Sequence, residues 1–270
     1  MIPTLPLIEV IVLGAATAAI GALAALHRKI FFAEAITHAS FPGAVLGVVL
    51  SSALAPGLST QARSLWLFTG SFVMCLALSL AMRWIAQIPG ISPPAAAGVV
   101  LTFAFSSGYF LAKWFQPLPI RVDTFLTGSV LTVNKIDVLC ACSLLLLVVA
   151  VFGRWWWPLV FRAFDPGMLA HKSRLIDATV LILICAAVTV AIPAVGAIVP
   201  ISLLAAPAGV AWALARTPGR FLFVSVTTGV VMGSGGLLLG VVADLSTGGC
   251  IALLGGLSYV LALLLRNARV

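Results

Sequence analysis

The stretch AEAITHASFPG at residues 33–43 sets Glu34 and His38 four positions apart in a chain that is otherwise almost wholly apolar. Ionisable groups are costly in hydrocarbon, so such a pair at the mouth of an apolar segment is a functional-site candidate. At helical spacing the two side chains share a face. A carboxylate oxygen and an imidazole nitrogen make a partial shell for a first-row divalent ion such as manganese, zinc or iron, and Thr37 and Ser40 bring hydroxyl oxygens close by. Two strong donors are few, since a stable tetrahedral zinc site takes about four. A transport path, however, needs binding weak enough to release, and a second copy of the chain across a dimer axis would bring a second pair. The competing reading is a surface ion pair between Glu34 and the nearby Arg28 or Lys29, with His38 bonded to a backbone carbonyl. Spacing alone leaves both open.

The composition fixes what kind of element must hold these residues. Of the 270 residues, 62% are hydrophobic and only 8% charged, and the mean hydropathy is +1.22, values no water-soluble surface tolerates. Runs long enough to cross a bilayer as helices, about 20 residues each, lie at 7–26, 35–54, 64–82, 93–112, 136–153, 176–193, 195–215, 221–243 and 247–265. The sequence therefore predicts an all-α polytopic transmembrane bundle of about eight to ten spans, with one membrane-embedded domain over residues 1–270. The first run has no basic residue before it and no small-residue cleavage site leading into a polar region, so it reads as a retained span rather than a signal peptide.

The net charge of +8 comes from basic residues spread over short loops, which points to topology rather than to nucleic acid. With the nine runs taken as crossings, Arg28, Lys29, Arg83, Arg154, Arg162, Lys172, Arg174, Arg216, Arg220, Arg266 and Arg269 fall on one side, and Arg63, Lys113, Arg121 and Lys135 on the other. Eleven against four is the bias of a cytoplasmic first side and predicts a cytoplasmic C-terminus. Residues 117–133 remain open between a further span, which would carry Arg121 and Asp123 into the membrane, and the re-entrant or interfacial segment that Pro117, Pro119 and that charge pair favour. The longest polar stretches, 113–135 and 154–175, are too short for a soluble domain. No G-x-x-x-x-G-K-[ST] phosphate loop occurs, so any nucleotide hydrolysis by that route belongs to another chain.

Small residues recur at helix-packing spacing in Gly14–Ala18, Gly43–Gly47 and Gly236–Gly240. Pro193, Gly196 and Pro200 interrupt a long apolar stretch and predict either a tight turn or a broken helix. Pro42 and Pro207 mark further packing or break points. Cys75, Cys140, Cys142, Cys185 and Cys250 all lie in apolar runs and read as packing residues; the two cysteines of the C-x-C point to different helix faces. Asp123, Asp137, Asp165 and Asp177 read as caps or solvated loop groups, His27 as a boundary residue and His171 as a loop residue. Asp244, followed by Ser, Thr and two glycines, reads as a turn cap, with capture of an ion on the outer face as the alternative.

Residues 33–43 resemble a signature of the membrane subunits of ABC importers for manganese, zinc and iron: Gly-Asp-Ala-Leu/Ile-Ser-His-Ala, two apolar residues, then Pro-Gly. Glu34 stands at the Asp, Thr37 at the Ser, His38 at the His and Pro42-Gly43 at the Pro-Gly, while Ala33 replaces the Gly. Glu34 keeps the charge and gains one methylene, which changes ligand reach. Phe164-Asp165-Pro166 followed by Ala170 is similar to the family's cytoplasmic Phe-Asp-Pro segment. Val195 to Val199, then Leu203 to Ala208, resembles its Val-Gly-x-Leu-Leu … Ala-Leu-Leu-x-x-Pro-Ala-Ala motif, and Asp244 to Gly248 its Asp-x-Pro-x-Gly turn with Ser246 in place of Pro. The likeness covers nearly the whole chain.

The resemblance implies a permease that is not itself an enzyme, working as a homodimer in the prokaryotic cell membrane with cytoplasmic ABC ATPase subunits and an extracytoplasmic metal-binding protein. It implies a transported divalent metal, manganese first and zinc second, passing Glu34 and His38 of both protomers, with ATP used by the partner and no permanently bound cofactor. Arg216-Thr217-Pro218-Gly219-Arg220 would be the segment presented to the ATPase, and Asp244 a candidate outer-gate acid. Two rivals stand beside this reading. One is an ABC permease for a larger metal chelate. The other is a membrane enzyme using Glu34 and His38, which would need further ligands, and no H-E-x-x-H or comparable cluster occurs.

Overall fold

The computed structural model describes residues 4–54, 60–116, 133–165, 167, 172–196 and 199–268. The described residues form nine helices: α1 Thr4–Leu26, α2 Ile30–Leu54, α3 Thr60–Ile85, α4 Pro93–Trp114, α5 Lys135–Phe164, α6 Ser173–Val195, α7 Val199–Leu214, α8 Pro218–Ala243 and α9 Thr247–Asn267. All but α7 are long and apolar enough to cross a membrane.

Helix α1 is the axis of the bundle and packs against α2, α5, α6, α7 and α8. Its small residues explain this place, because lipid offers no hydrophobic drive between helices and close backbone approach must supply the packing. Gly14 meets the backbone of Gly229 on α8, Gly21 that of Leu204 on α7, and Gly233 that of Val10. The Ser225 hydroxyl donates to the Ala18 carbonyl at 2.9 Å, joining α8 to α1 through a buried hydrogen bond. Gly43 and Gly47 bring α2 onto Gly70 and Trp66 of α3, and Gly236 and Gly240 bring α8 onto α9. The three small-residue pairs read from the sequence therefore all lie at helix interfaces. Cys75, Cys185 and Cys250 are buried and free, and the Cys75 thiol donates to the Ile36 carbonyl across the α2–α3 seam.

The turns sort into two ends. At one, α1 stops in a turn where the Arg28 N–H donates to the Ala25 carbonyl and that of Lys29 to Ala24. Arg28 takes the left-handed position at φ 56°, where glycine is usual and an L side chain costs about 1 kcal/mol. The His27 ring nitrogen lies 3.0 Å from the Leu159 carbonyl near the end of α5, and Asp177 in the first turns of α6 pairs with Lys29 and Arg162, each at 3.4 Å. At the other end, Asp244 closes α8 in the left-handed region at φ 53° and Ser246 caps α9.

Two sequence expectations change. The run at 136–153 continues as helix through Arg154 to Phe164, because the apolar Trp155–Val160 stretch extends the buried face and Arg154 stays exposed. Run 195–215 shortens to the 16-residue α7: Gly196, at φ 80° and ψ 175°, ends α6 with its N–H on the Ile192 carbonyl, and α7 runs back toward the basic end, where Ala208 and Ala211 pack with Ala22 and Leu26, so the chain reverses between α6 and α7 as the tight-turn reading has it. Pro200 then falls in the first turn of α7, where a missing N–H is harmless. The re-entrant-or-span choice concerns residues 117–133, of which 117–132 lie outside the described residues, as do Pro166, Ala170 and His171.

Candidate metal site

Helix α2 begins one residue after the basic turn, so Glu34 and His38 lie in its first half, about 6 and 12 Å along the axis from Ile30. Both side chains are half-buried, whereas Ala33, Ala35, Ile36 and Thr37 on the adjoining faces are buried. The His38 ring meets Phe105 on α4 edge to face, with centroids 5.7 Å apart and planes at 86°; Phe41 packs on the Phe105 ring. Gly108 lets α4 come onto Phe41 and Pro42. Pro42 has no N–H to give to the His38 carbonyl four residues back, so that oxygen loses its usual helical donor beside the imidazole.

The two hydroxyls do something other than expected. Thr37 Oγ1 donates to the Ala33 carbonyl at 2.9 Å and Ser40 Oγ to the Thr37 carbonyl at 2.7 Å. Buried in an apolar surround, both satisfy themselves on their own helix instead of joining Glu34 and His38. Among the described residues Glu34 pairs with neither Arg28 nor Lys29, and Lys29 turns instead to Asp177. No group of three or more His, Cys, Asp and Glu side chains able to hold a metal occurs among the described residues, and Glu34 and His38 stand there as two donors on a partly open face.

Asp244 is exposed in the α8–α9 turn. Because α1 and α8 run antiparallel, with Val10 against Gly233 and Gly14 against Gly229, that turn lies at the end of the bundle opposite Glu34, and the structure does not bring the two acids together. Arg216, Thr217, Gly219 and Arg220 are exposed in the α7–α8 connection at the basic end. There Thr217 caps α8, accepting from the Arg220 N–H at 3.4 Å, and Pro218 opens the helix. A Cβ on Gly219 would meet nothing. Pro207 is buried within α7 and Gly43 at the α2–α3 contact.

Sequence reasoning missed Glu9. It is 0% exposed, and neither carboxylate oxygen has a hydrogen-bond partner; its electrostatic neighbour is Asp137 at the start of α5. A lone acid inside the first apolar run was the available signal. Asp137 caps α5 as expected, accepting from the Asn134 N–H at 2.9 Å, but is buried rather than solvated. Asp177 is likewise no plain loop acid, since it holds two cations. In the turn beside it, burial lowers the His27 pKa against the opposing bond to Leu159, and burial also lowers that of Lys29 against the pull of Asp177.

An all-helical bundle with these eight spans is a multi-pass membrane protein. The profile of the ABC 3 transport family matches residues 4–266, and the chain belongs to that family. It is 23% identical to the manganese transport system membrane protein MntC of Halalkalibacterium halodurans, over 93% of this chain and 83% of that one. It is 23% identical to the high-affinity zinc uptake system membrane protein ZnuB of Haemophilus influenzae, over 95% of each. The fold matches PsaBC from Streptococcus pneumoniae, solved in complex with Fab, with a TM-score of 0.81 at 22% identity, covering 95% of this chain and 89% of that one.

Proposed function

We propose that the chain is the permease subunit of an ATP-driven importer of divalent transition metal ions, with manganese the first choice and zinc the second. The observation that carries this reading is the Glu34–His38 pair on one half-open face of α2 against Phe105, in a chain whose family and named relatives are transport proteins. One oxygen and one nitrogen with no thiolate suit manganese and admit zinc. Because the described residues of one chain bring only two such donors together, the site is completed by the same pair of a second protomer in a homodimer. The basic end, with Arg28, Arg83, Arg216 and Arg220, is cytoplasmic by charge bias, which puts the C-terminus of α9 inside. The exposed Arg216–Arg220 connection there docks a separate ATPase, and a binding protein delivers the ion at the opposite end. ATP-driven closure of that ATPase would reach α7 and α8 through the connection and change which side the α2 pair faces.

The test is uptake of radiolabelled manganese and zinc into vesicles holding the chain, its ATPase and its binding protein. Uptake of either ion, lost in the Glu34→Ala/His38→Ala double variant, supports the reading. Uptake unchanged by that variant overturns the site, and absence of metal flux with ATPase activity stimulated by a chelate overturns the substrate.

A further inference from the structure

A cavity of about 350 Å³ opens at the basic end between the α1–α2 turn, the end of α3 and the starts of α4 and α6. Its charged lining is lopsided. Arg28, Lys29 and Arg83 face it, with Asp177 the sole acid among the described lining residues, and Asp177 is already divided between Lys29 and Arg162. Neither Arg28 nor Arg83 has a carboxylate within ion-pair distance among the described residues. The excess of positive charge is felt locally: besides burial, both Arg83 and Arg162 push the Lys29 ammonium toward losing its proton. The chain also keeps an arginine in the left-handed position of the turn, where glycine would be unstrained. Lys29 and Arg83 are half-buried and Arg28 is exposed at the mouth, and cations in such surplus attract an anion.

The remaining wall says which anion. Phe31, Phe32, Met82 and Leu181 line the same cavity, and Phe31 is 48% exposed on the first turn of α2, the level at which a transmembrane helix leaves the hydrocarbon. A free phosphate has no use for an apolar wall at that depth, whereas a phospholipid presents a phosphate and acyl chains together. The exposed loop between α7 and α8 is not part of the lining. We propose that this cavity binds an anionic phospholipid, its phosphate between Arg28 and Arg83 and its acyl chains along Phe31 and Phe32. The inference depends on neither the transported ion nor the partner subunits.

The experiment is native mass spectrometry of the delipidated full chain, titrated with dioleoyl phosphatidylglycerol or dioleoyl phosphatidylcholine. The expected result is one tight phosphatidylglycerol per chain and much weaker phosphatidylcholine. Arg28→Gln/Arg83→Gln should weaken the tight site about thirtyfold. Arg28→Lys/Arg83→Lys, which keeps the charges, should restore most of it, and Arg174→Gln, an exposed cation at the same end outside the cavity, should leave it unchanged. The lysine variant keeps the test decisive if the glutamine variant is poorly folded, because loss of the tight site in a folded lysine variant counts against charge recognition and overturns the proposal. Equal binding of the two lipids, or an unaltered tight site in a folded glutamine variant, overturns it as well. So does displacement of phosphatidylglycerol by an equal concentration of glycerol phosphate, which would make this a free-phosphate site, or its loss on adding the ATPase, which would make it a protein-docking site.

Discussion

Phe105 on α4 and the imidazole of His38 on α2 meet edge to face, with ring centroids 5.7 Å apart, so the orientation of the proposed metal donor is set by a neighbouring helix. An edge-to-face contact of this kind contributes about 1 kcal/mol. Phe105→Ala should therefore lower manganese uptake in reconstituted vesicles about fivefold, with the amount of folded protein unchanged because Phe105 is 37% exposed. Uptake at the unsubstituted level would show that the ring does not orient His38.

The turn after α1 should make stability fall with acid. The His27 pKa lies below its ordinary 6.5, chiefly through burial. Above that ordinary value folded and unfolded chains both hold the neutral ring and the full contribution is present. As pH falls below 6.5, the unfolded chain takes up a proton first, and stability is lost until the depressed folded value is reached. Melting temperatures in detergent between neutral pH and mildly acidic pH should show this decline, and His27→Gln should flatten it. An equal slope in the variant would assign the decline to another group.

Glycine positions along α1 and α4 should respond oppositely to one methyl. Gly21→Ala drives a Cβ into the Leu204 backbone and should destabilise by about 1–3 kcal/mol. Gly98→Ala on α4 meets nothing and should stabilise by about 0.5–1 kcal/mol through helix propensity. Thermal unfolding of the two variants side by side reads the contrast.

Glu9 is fully buried with both oxygens unpartnered, and a charged carboxylate in that surround costs several kcal/mol or more. Glu9→Gln keeps the shape without a charge, so its melting temperature should equal or exceed that of the parent chain at neutral pH. A clear drop would mean that the acid itself holds α1 in place.

Arg216 and Arg220 are exposed, and reversing exposed charges changes stability by no more than about 0.5 kcal/mol. Arg216→Glu/Arg220→Glu should nevertheless abolish co-purification of the ATPase subunit. Retention of that subunit at full stoichiometry would remove the connection from the docking surface.

Much of this architecture is legible in the chain because it is local. Helical spacing puts Glu34 and His38 on one face, and Gly14–Ala18, Gly43–Gly47 and Gly236–Gly240 announce three interfaces. What spacing does not carry is partnership at distance. Lys29 lies five residues from Glu34, yet its partner is Asp177, 148 positions away. Thr37 and Ser40 are in the right place for ligands, but burial turns their hydroxyls to the nearest carbonyls. Glu9 escapes a hydropathy window because its apolar neighbours outweigh one carboxylate. The end of α5 and the shortness of α7 depend on what covers them, which only the packed bundle decides.

Helix α1 is the most apolar of the early spans and also the most enclosed, with 72% of its spanning window buried by protein. A ribosome makes it long before α5, α7 and α8 exist to clasp it. It is greasy enough to enter the bilayer alone, so its glycine and alanine faces spend that interval against lipid, and α8, which closes onto Gly14 and Ala18, arrives among the last. Biogenesis of this permease thus ends at its centre: a helix made early receives its largest native neighbour, α8, late. A chain truncated before Pro218 would be inserted in the membrane yet unassembled, a ready substrate for membrane proteases.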